Sequence, residues 1–434
     1  MNAPAITVPQ RRGACPGLSA PLQTGDGMLV RLLLIGTIPL AAFSALCAAA
    51  RTHGNGIIEI TSRGSIQVRG LSAISAPKFA AAVATLDIAA EDGVPVLCNA
   101  LAGLDAEEIF DSTSLAAELR CTIAQHSLAS KLSPKVSIVI DGGGTADLEA
   151  VAADIRLRAQ SVNGDVALCI SAGGDEARAA ELGYVAPTHA VEATLRLLDA
   201  IARGGRDARA RDILAAGGKQ VFHDALTSCP GLSRASTSSV SVKAAAAGTE
   251  TIGTHRLRDG LYALGIGLGF GHADANSFEQ LVGAAQTAGV NGLRAAPGRA
   301  LLAIGLTLAA ARVFAEAAEQ LGFIVRADDP RRNVVACAGA PICASAFIAS
   351  RALAPVIAAT AAAQLGGTVH ISGCAKGCAH ASAAALTVVG TPDGCALIAD
   401  GFARDTPFAI VPADELQSAI ANYARCLNRE AAHV

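Results

Sequence analysis

The chain has no tryptophan, three tyrosines and two methionines among its 434 residues, and aromatics make up 3% of it. Charged residues are also sparse, at 16%, and the formal net charge is −3. Nucleic-acid binders carry a basic excess and aromatic platforms for bases, so neither strand type is an expected partner. No G-x-G-x-x-G follows a strand-like run and no flavin fingerprint is present, so a dinucleotide or flavin bound by this chain is not indicated. No 2-His-1-carboxylate pattern marks a mononuclear iron site.

One uncharged run is apolar enough to be examined as a membrane span. Leu32–Ala50 carries no charge over nineteen residues, long enough to imitate a membrane span. Gly36, Thr37 and Pro39 divide it into a strand-like and a helix-like part. The expectation is therefore a buried strand and a core helix, no membrane, and a cytoplasmic protein.

What the chain does have is small residues, with 44 glycines, and twelve cysteines. Cys47, Cys98, Cys121 and Cys169 stand singly in apolar stretches, the usual setting of a core thiol. Four others are paired. Cys337 and Cys343 form C-x5-C in A-C-A-G-A-P-I-C, and Cys374 and Cys378 form C-x3-C in S-G-C-A-K-G-C-A-H. Two such loops can offer four thiolates to a [4Fe–4S] cluster, and their Ala, Gly, Ser and Pro neighbours let backbone approach it. Structural zinc favours shorter gaps, disulfides need an oxidising compartment, and buried thiols are the plain alternative.

The chain also repeats. Asp26–Arg31 opens a strand-like run ending at Gly36, then a helix-like stretch with Phe43 and Leu46, Gly54, and Ile57–Arg63. Asp259–Leu264 opens the second copy, which ends at Gly269 and continues through Phe278, Leu281, Gly289 and Leu293–Arg299 to Ala-Leu-Leu-Ala-Ile-Gly-Leu. Duplicated units of this kind pair about a pseudo-two-fold axis. Elsewhere Lys135–Ile140, Val166–Ile170, Thr368–Ser372 and Leu386–Val389 read as strands. Leu148–Gln160, Ala190–Ala202, Arg206–Ala216 and Asp414–Leu427 read as helices, and Ser233–Gly248 as a linker. Basic residues recur at matching places in the repeat: Arg31, Arg63 and Arg69, then Arg294 and Arg299, with Lys135 before a strand. An arginine fork suits a carboxylate, so together they could hold a polycarboxylated ligand.

The cysteine spacing resembles that of the sulfite and nitrite reductase superfamily. Arg11–Leu18, Thr24–Arg31, Thr61–Gln67, Leu101–Asp105 and Ser372–His380 carry a closer resemblance to its precorrin-3B synthase branch. The likeness covers nearly the whole chain. It implies an α+β fold of two ferredoxin-like half-domains about a pseudo-two-fold axis plus two α/β domains. The expected division is 1–90 and 251–325 for the halves, 91–232 and 326–434 for the α/β domains, and 233–250 for the linker. It implies a [4Fe–4S] cluster on the four cysteines, a mononuclear non-haem iron, and O2-dependent conversion of precorrin-3A to precorrin-3B. The electron donor would be external and reached through NADH. Arg31 matches an anion-binding arginine, and Thr61, Arg63 and Gln67 match a tetrapyrrole-binding segment. Lys135 matches the first lysine of a pair. Arg31 and Lys135 are thus the candidate catalytic residues, and Thr61, Arg63, Gln67, Arg69, Arg294 and Arg299 join Arg31 as candidate substrate contacts.

The departures point one way. Ser137 stands for the second lysine, Val94-Pro95 for an Arg-Asn pair, Glu59 for an arginine and Ala385 for an acidic residue. A reductase of small oxyanions needs a dense cationic cage. Its siroheme-dependent chemistry is therefore the alternative reading, and a non-catalytic electron carrier a third that four domains do not need.

Overall fold

The computed structural model describes residues 16–91, 93–126, 128–146, 148–162, 164–233, 250–360, 365–380 and 382–431. The linker, except Ser233 and Glu250, and Arg11–Cys15 lie outside the described residues. Four sheets organise the chain.

Leu32–Ala50 is a strand and a helix. In the strand Gly27–Ile35, Val30 and Leu32 are buried and Arg31 and Leu33 face the other way, as period-2 alternation requires. Gly36 turns the chain at φ 71°, a conformation open to glycine. The helix Leu40–His53 then buries Phe43, Leu46, Cys47 and Ala50, the spacing of one helical face. Among the described residues no helix is long and apolar enough to cross a membrane.

The strands Ile57–Ile60 and Ile66–Leu71 complete the first copy, backed by the helix Ser75–Ala84. The second copy follows with Tyr262–Gly267, the helix Ala275–Thr287, Gly292–Ala296, Ala300–Leu306 and the helix Leu308–Gln320. The matched phenylalanines meet: the Phe43 and Phe278 rings are edge-to-face at 5.5 Å, and Phe323 lies 5.6 Å from Phe278. Both halves share one hydrophobic core. Ile38 and Leu293 exchange two main-chain hydrogen bonds, of 2.7 and 2.9 Å. The short strand His272–Asp274 of the second copy pairs with Ile57–Ile60 of the first. Asp274 also caps the helix that follows, and Glu279 pairs with Arg51 at 2.7 Å.

The unit between the halves has a five-stranded sheet. Val96–Cys98, Ile138–Asp141 and Ala153–Val162 are parallel, and Asp165–Gly174 and Ala180–Val185 are antiparallel to their neighbours. The expected helix at Leu148–Gln160 is absent: a strand begins at Ala153. Ile155, Leu157 and Ala159 alternate into the core, and Arg156 turns back to the carbonyls of Val151 and Leu148. The expected strand from Lys135 starts three residues later, at Ile138. The helix expected from Arg206 starts at Ala210, where the Asp154 carboxylate accepts the Ala210 amide and the Arg209 fork. Cys47 and Cys169 are buried, but Cys121 is exposed, on a helix face turned to solvent.

Glu108 joins this unit to the second half. Its side chain is fully buried, and Oε2 accepts from Gly103 N at 2.9 Å and Arg258 Nη2 at 3.2 Å, while Oε1 has no partner. Burial pushes the carboxyl up to about 7. Asp111 and Asp105 add to the rise, and the Gly103 amide and Arg258 oppose it. A carboxyl raised in the folded state favours folding while it is protonated. That stability is lost as pH climbs from the unfolded value of 4.5 through about 7. The wild-type melting temperature should therefore fall between about pH 5 and about pH 8, and Glu108→Gln should remove this part of the slope. Thermal melts of both proteins across that range check it, and equal slopes would refute it.

The C-terminal sheet runs Val334–Ala336, Val369–Ser372 and Ala384–Thr391 in parallel, then Gly394–Gly401 and Ala409–Val411 antiparallel. The helices Ser350–Thr360 and Leu416–Ala431 pack with it.

Candidate functional site

The cysteine loops leave the C-terminal ends of adjacent parallel strands, where open α/β sheets place their ligands. Val334–Ala336 runs into Cys337, and Val369–Ser372 runs to Cys374. Cys337 N donates to Ile371 O at 3.1 Å, and Gly373 N donates to Cys337 Sγ at 3.1 Å. The Ser350 hydroxyl lies 3.5 Å from the same sulfur. Cys343 N donates to Gly339 O at 2.8 Å. Gly25, at the start of the first half, touches this loop: Ala344 N donates to Gly25 O at 3.0 Å, and a Cβ on Gly25 would lie 2.3 Å from Cys343 Sγ. Burial and then the Cys337 and Cys374 thiols raise the pKa of Cys378. Arg69 lowers it, and Cys343 adds a smaller rise. All four thiols therefore share one neighbourhood. Among the described residues no three His, Cys, Asp or Glu groups converge on a single ion.

Facing the loops is the polar side of the first half's sheet. Arg31 donates from Nε and Nη2 to Gln67 Oε1 at 2.9 and 2.6 Å. Gln67 Nε2 donates to Glu59 Oε2 at 2.8 Å. Arg69 forks onto Asp26 with bonds of 2.7 and 2.6 Å and reaches Glu59 at 3.5 Å. Desolvation works against both ions of that pair, yet Arg69 holds Asp26 below the usual carboxylate range and is itself raised by Asp26 and Glu59. The Glu59 carboxylate, expected to be an arginine in a reductase, thus sits among cations. Its Oε1 accepts from Arg351 of the cysteine domain at 2.7 Å. His272 lies opposite Glu59 in the sheet. Burial and then Arg351 push its imidazole down to about 4.

The remaining expected residues scatter. Thr61 shapes a turn, its hydroxyl accepting from Arg63 N and Ser65 N. Arg63 Nη1 donates to Ala152 O at 2.6 Å, and Arg294 donates to Thr37 and to the carbonyls of Ala100 and Ala102. Both line a cavity of about 190 Å³ with Leu33, Glu91, Cys98 and Arg120. Arg299, the repeat partner of Arg63, has φ 63° and no side-chain hydrogen bond among the described residues. It lines a second cavity, of about 360 Å³, beside Phe270, Arg331 and Arg332. Burial, His380 and then Arg299 push His370 down to about 4, and neither of its ring nitrogens has a partner. Its ring lies 5.7 Å from that of His380. Lys135 is exposed, three residues before the strand that begins at Ile138. Ser137 is 3% exposed, its amide held by Asp154, and Val94 is in the core, so neither place holds a cation.

Sequence reasoning missed Arg351 and His272. Arg351 is a lone cation in an alanine-rich helix, without a motif, and His272 belongs to a three-residue strand.

Known proteins resemble the chain at each of these levels. The family described as the nitrite/sulfite reductase ferredoxin-like half domain matches residues 20–86. The solved structure of the NirA protein of Mycobacterium tuberculosis superposes with a TM-score of 0.71 at 18% identity, over 92% of this chain and 80% of that one. Its fold is this fold: two ferredoxin-like halves and two α/β domains. A precorrin-3B synthase of Sinorhizobium sp is 39% identical over 422 residues, 96% of this chain and 89% of the relative. With that identity over nearly its whole length, the chain belongs to the precorrin-3B synthase family.

Proposed function

We propose that this protein converts precorrin-3A to precorrin-3B in cobalamin biosynthesis, hydroxylating C20 and closing a γ-lactone from the ring A acetate. One atom of O2 enters the product. The other leaves as water, using two electrons and two protons from an external donor reached through NADH. The observation that carries the reading is the meeting of two cysteine loops with a sheet face bearing Arg31, Gln67 and Arg69. A polycarboxylated tetrapyrrole suits that face, because arginine pairs carboxylates through two hydrogen bonds.

The cysteines fit a [4Fe–4S] cluster. Cys337, Cys343, Cys374 and Cys378 would hold it, the Gly373 amide already points at one sulfur, and Gly25 leaves room at another. Structural zinc favours shorter gaps between paired cysteines than the C-x5-C of Cys337 and Cys343. When bound, the cluster supplies electrons one at a time. No described trio of side chains offers a ready site for the mononuclear iron, so its ligands are not assigned. Arg31, steadied by Gln67, would orient a substrate carboxylate. Arg63 and Arg294 would act through the loops whose carbonyls they hold, and Arg299 from the cavity beside the cysteine domain. Lys135, exposed, would act only at the rim. The enzyme would be cytoplasmic and divide at 1–90, 91–232, 251–325 and 326–434, with 233–250 as the linker.

The test is aerobic turnover of precorrin-3A by anaerobically purified protein with a chemical reductant, followed by mass spectrometry for one added oxygen. Arg31→Ala should weaken precorrin-3A binding roughly 30-fold or more, the ~2–5 kcal/mol cost of truncating one partner of a buried charged contact. The cluster's optical spectrum should not change. Siroheme at stoichiometric levels with rapid sulfite reduction would instead establish the alternative, which Glu59, Ser137 and Val94 oppose.

A further inference from the structure

Arg351 ties the cysteine domain to the first half's sheet. Its Nη2 donates to Glu59 Oε1, while Nε and Nη1 are buried and have no acceptor. Charged donors buried without partners are costly, so this arrangement calls for an acceptor that the described residues do not supply. Besides Glu59 and Asp26, the anion-forming group near Arg351 is Cys337. The preceding residue, Ser350, has its hydroxyl 3.5 Å from Cys337 Sγ, and Cys337 acts on Arg351 electrostatically. Arg69 stands in the same relation to Cys378. Glu59 lies between the two arginines, 2.7 Å from Arg351 and 3.5 Å from Arg69. The sheet side of the cage therefore has two cations and two carboxylates: Asp26 is forked by Arg69, and Glu59 is shared between Arg69 and Arg351.

We propose that Arg351 raises the reduction potential of an iron–sulfur cluster held by the four cysteines, and that Glu59 sets how much of that charge the cluster feels. The proposal rests on the cluster reading above. Reduction adds a negative charge to an anionic cluster, and a nearby cation or N–H donor stabilises the reduced form. Arg351 and Glu59 are positioning residues in this role, acting on the cluster's electronics without touching substrate. Removing the cation should lower the potential, and removing the carboxylate should raise it. A role limited to holding two domains together would give no such opposition of sign, since both changes break the same ion pair.

The experiment is an equilibrium redox titration of the full chain, purified anaerobically with its cluster and followed by the paramagnetic signal of the reduced state. Arg351→Gln should make reduction about tenfold less favourable, ~59 mV for one electron. Glu59→Gln should shift it in the opposite direction, and Arg351→Lys, which keeps the charge, should fall near the wild type. Should Arg351→Gln fail to assemble a cluster, the Lys and Glu59→Gln variants carry the test. Unchanged potentials, or shifts of the same sign, would overturn the proposal. So would an unshifted Arg351→Gln protein that has lost precorrin-3A affinity, which would make Arg351 a substrate contact. A wild-type chain without iron and sulfide would overturn the cluster reading itself, a result that the iron and sulfide assay reports before any variant is compared.

Discussion

Cys374→Ser is expected to abolish the paramagnetic signal of the reduced protein and to cut its iron and sulfide content. The residue leaves the end of a buried parallel strand, and Ser372 Oγ donates to its carbonyl at 2.7 Å, so the loop's path is fixed by groups other than the thiol. Serine keeps that path and the residue's size. It removes the thiolate, so the cluster loses one of the four ligands proposed to hold it. Circular dichroism should therefore remain that of the wild type while the signal disappears. Cys121→Ser, on an exposed helix face far along the chain from either loop, should keep both. Gly25→Ala attacks the same site from the opposite side, since its Cβ would stand 2.3 Å from Cys343 Sγ. A full signal in Cys374→Ser would end the assignment of that cysteine.

Phe278→Ala should produce the largest loss of stability. The ring is fully buried, edge-to-face with Phe43 at 5.5 Å and tilted against Phe323 at 5.6 Å, where the two halves share a core. Emptying such a position typically costs about 3–5 kcal/mol, part of it the cavity left behind. The aromatic pair adds about 0.5–1.5 kcal/mol beyond its buried area. The urea midpoint should drop accordingly, whereas Phe402→Ala, at a ring 49% exposed, should move it little. A midpoint for Phe278→Ala within error of the wild type would show that the halves do not depend on this contact.

The matching of these two phenylalanines was legible in the sequence because both occupy the same place in two copies of one pattern; that their rings touch was not. Repetition makes a weak periodic signal readable, and it also separated Leu32–Ala50 into strand and helix. The stretch from Leu148 was misread because alanines and charged residues suit a helix surface, while the Ile155, Leu157, Ala159 alternation that marks a strand is short. The cysteines were readable from spacing alone. The arginines were not. Arg63 and Arg294 hold backbone carbonyls, Arg69 is locked to Asp26, and only contacts between distant elements reveal it. Arg351 became visible only when a helix of the last domain met a strand of the first.

The pairing of His272–Asp274 with Ile57–Ile60 sets a schedule for synthesis. The edge strand of the first copy is translated roughly 200 residues before the strand that covers it. At ~5–20 residues per second, the nascent first half waits about ten seconds or longer with an unpaired edge and with Phe43 lacking its partner ring. Over that interval an apolar surface, with scarcely any charge to repel a neighbour, is open to other chains on the same polysome. Holdase chaperones that shield it should therefore raise the yield of active protein more than agents that act on the completed fold.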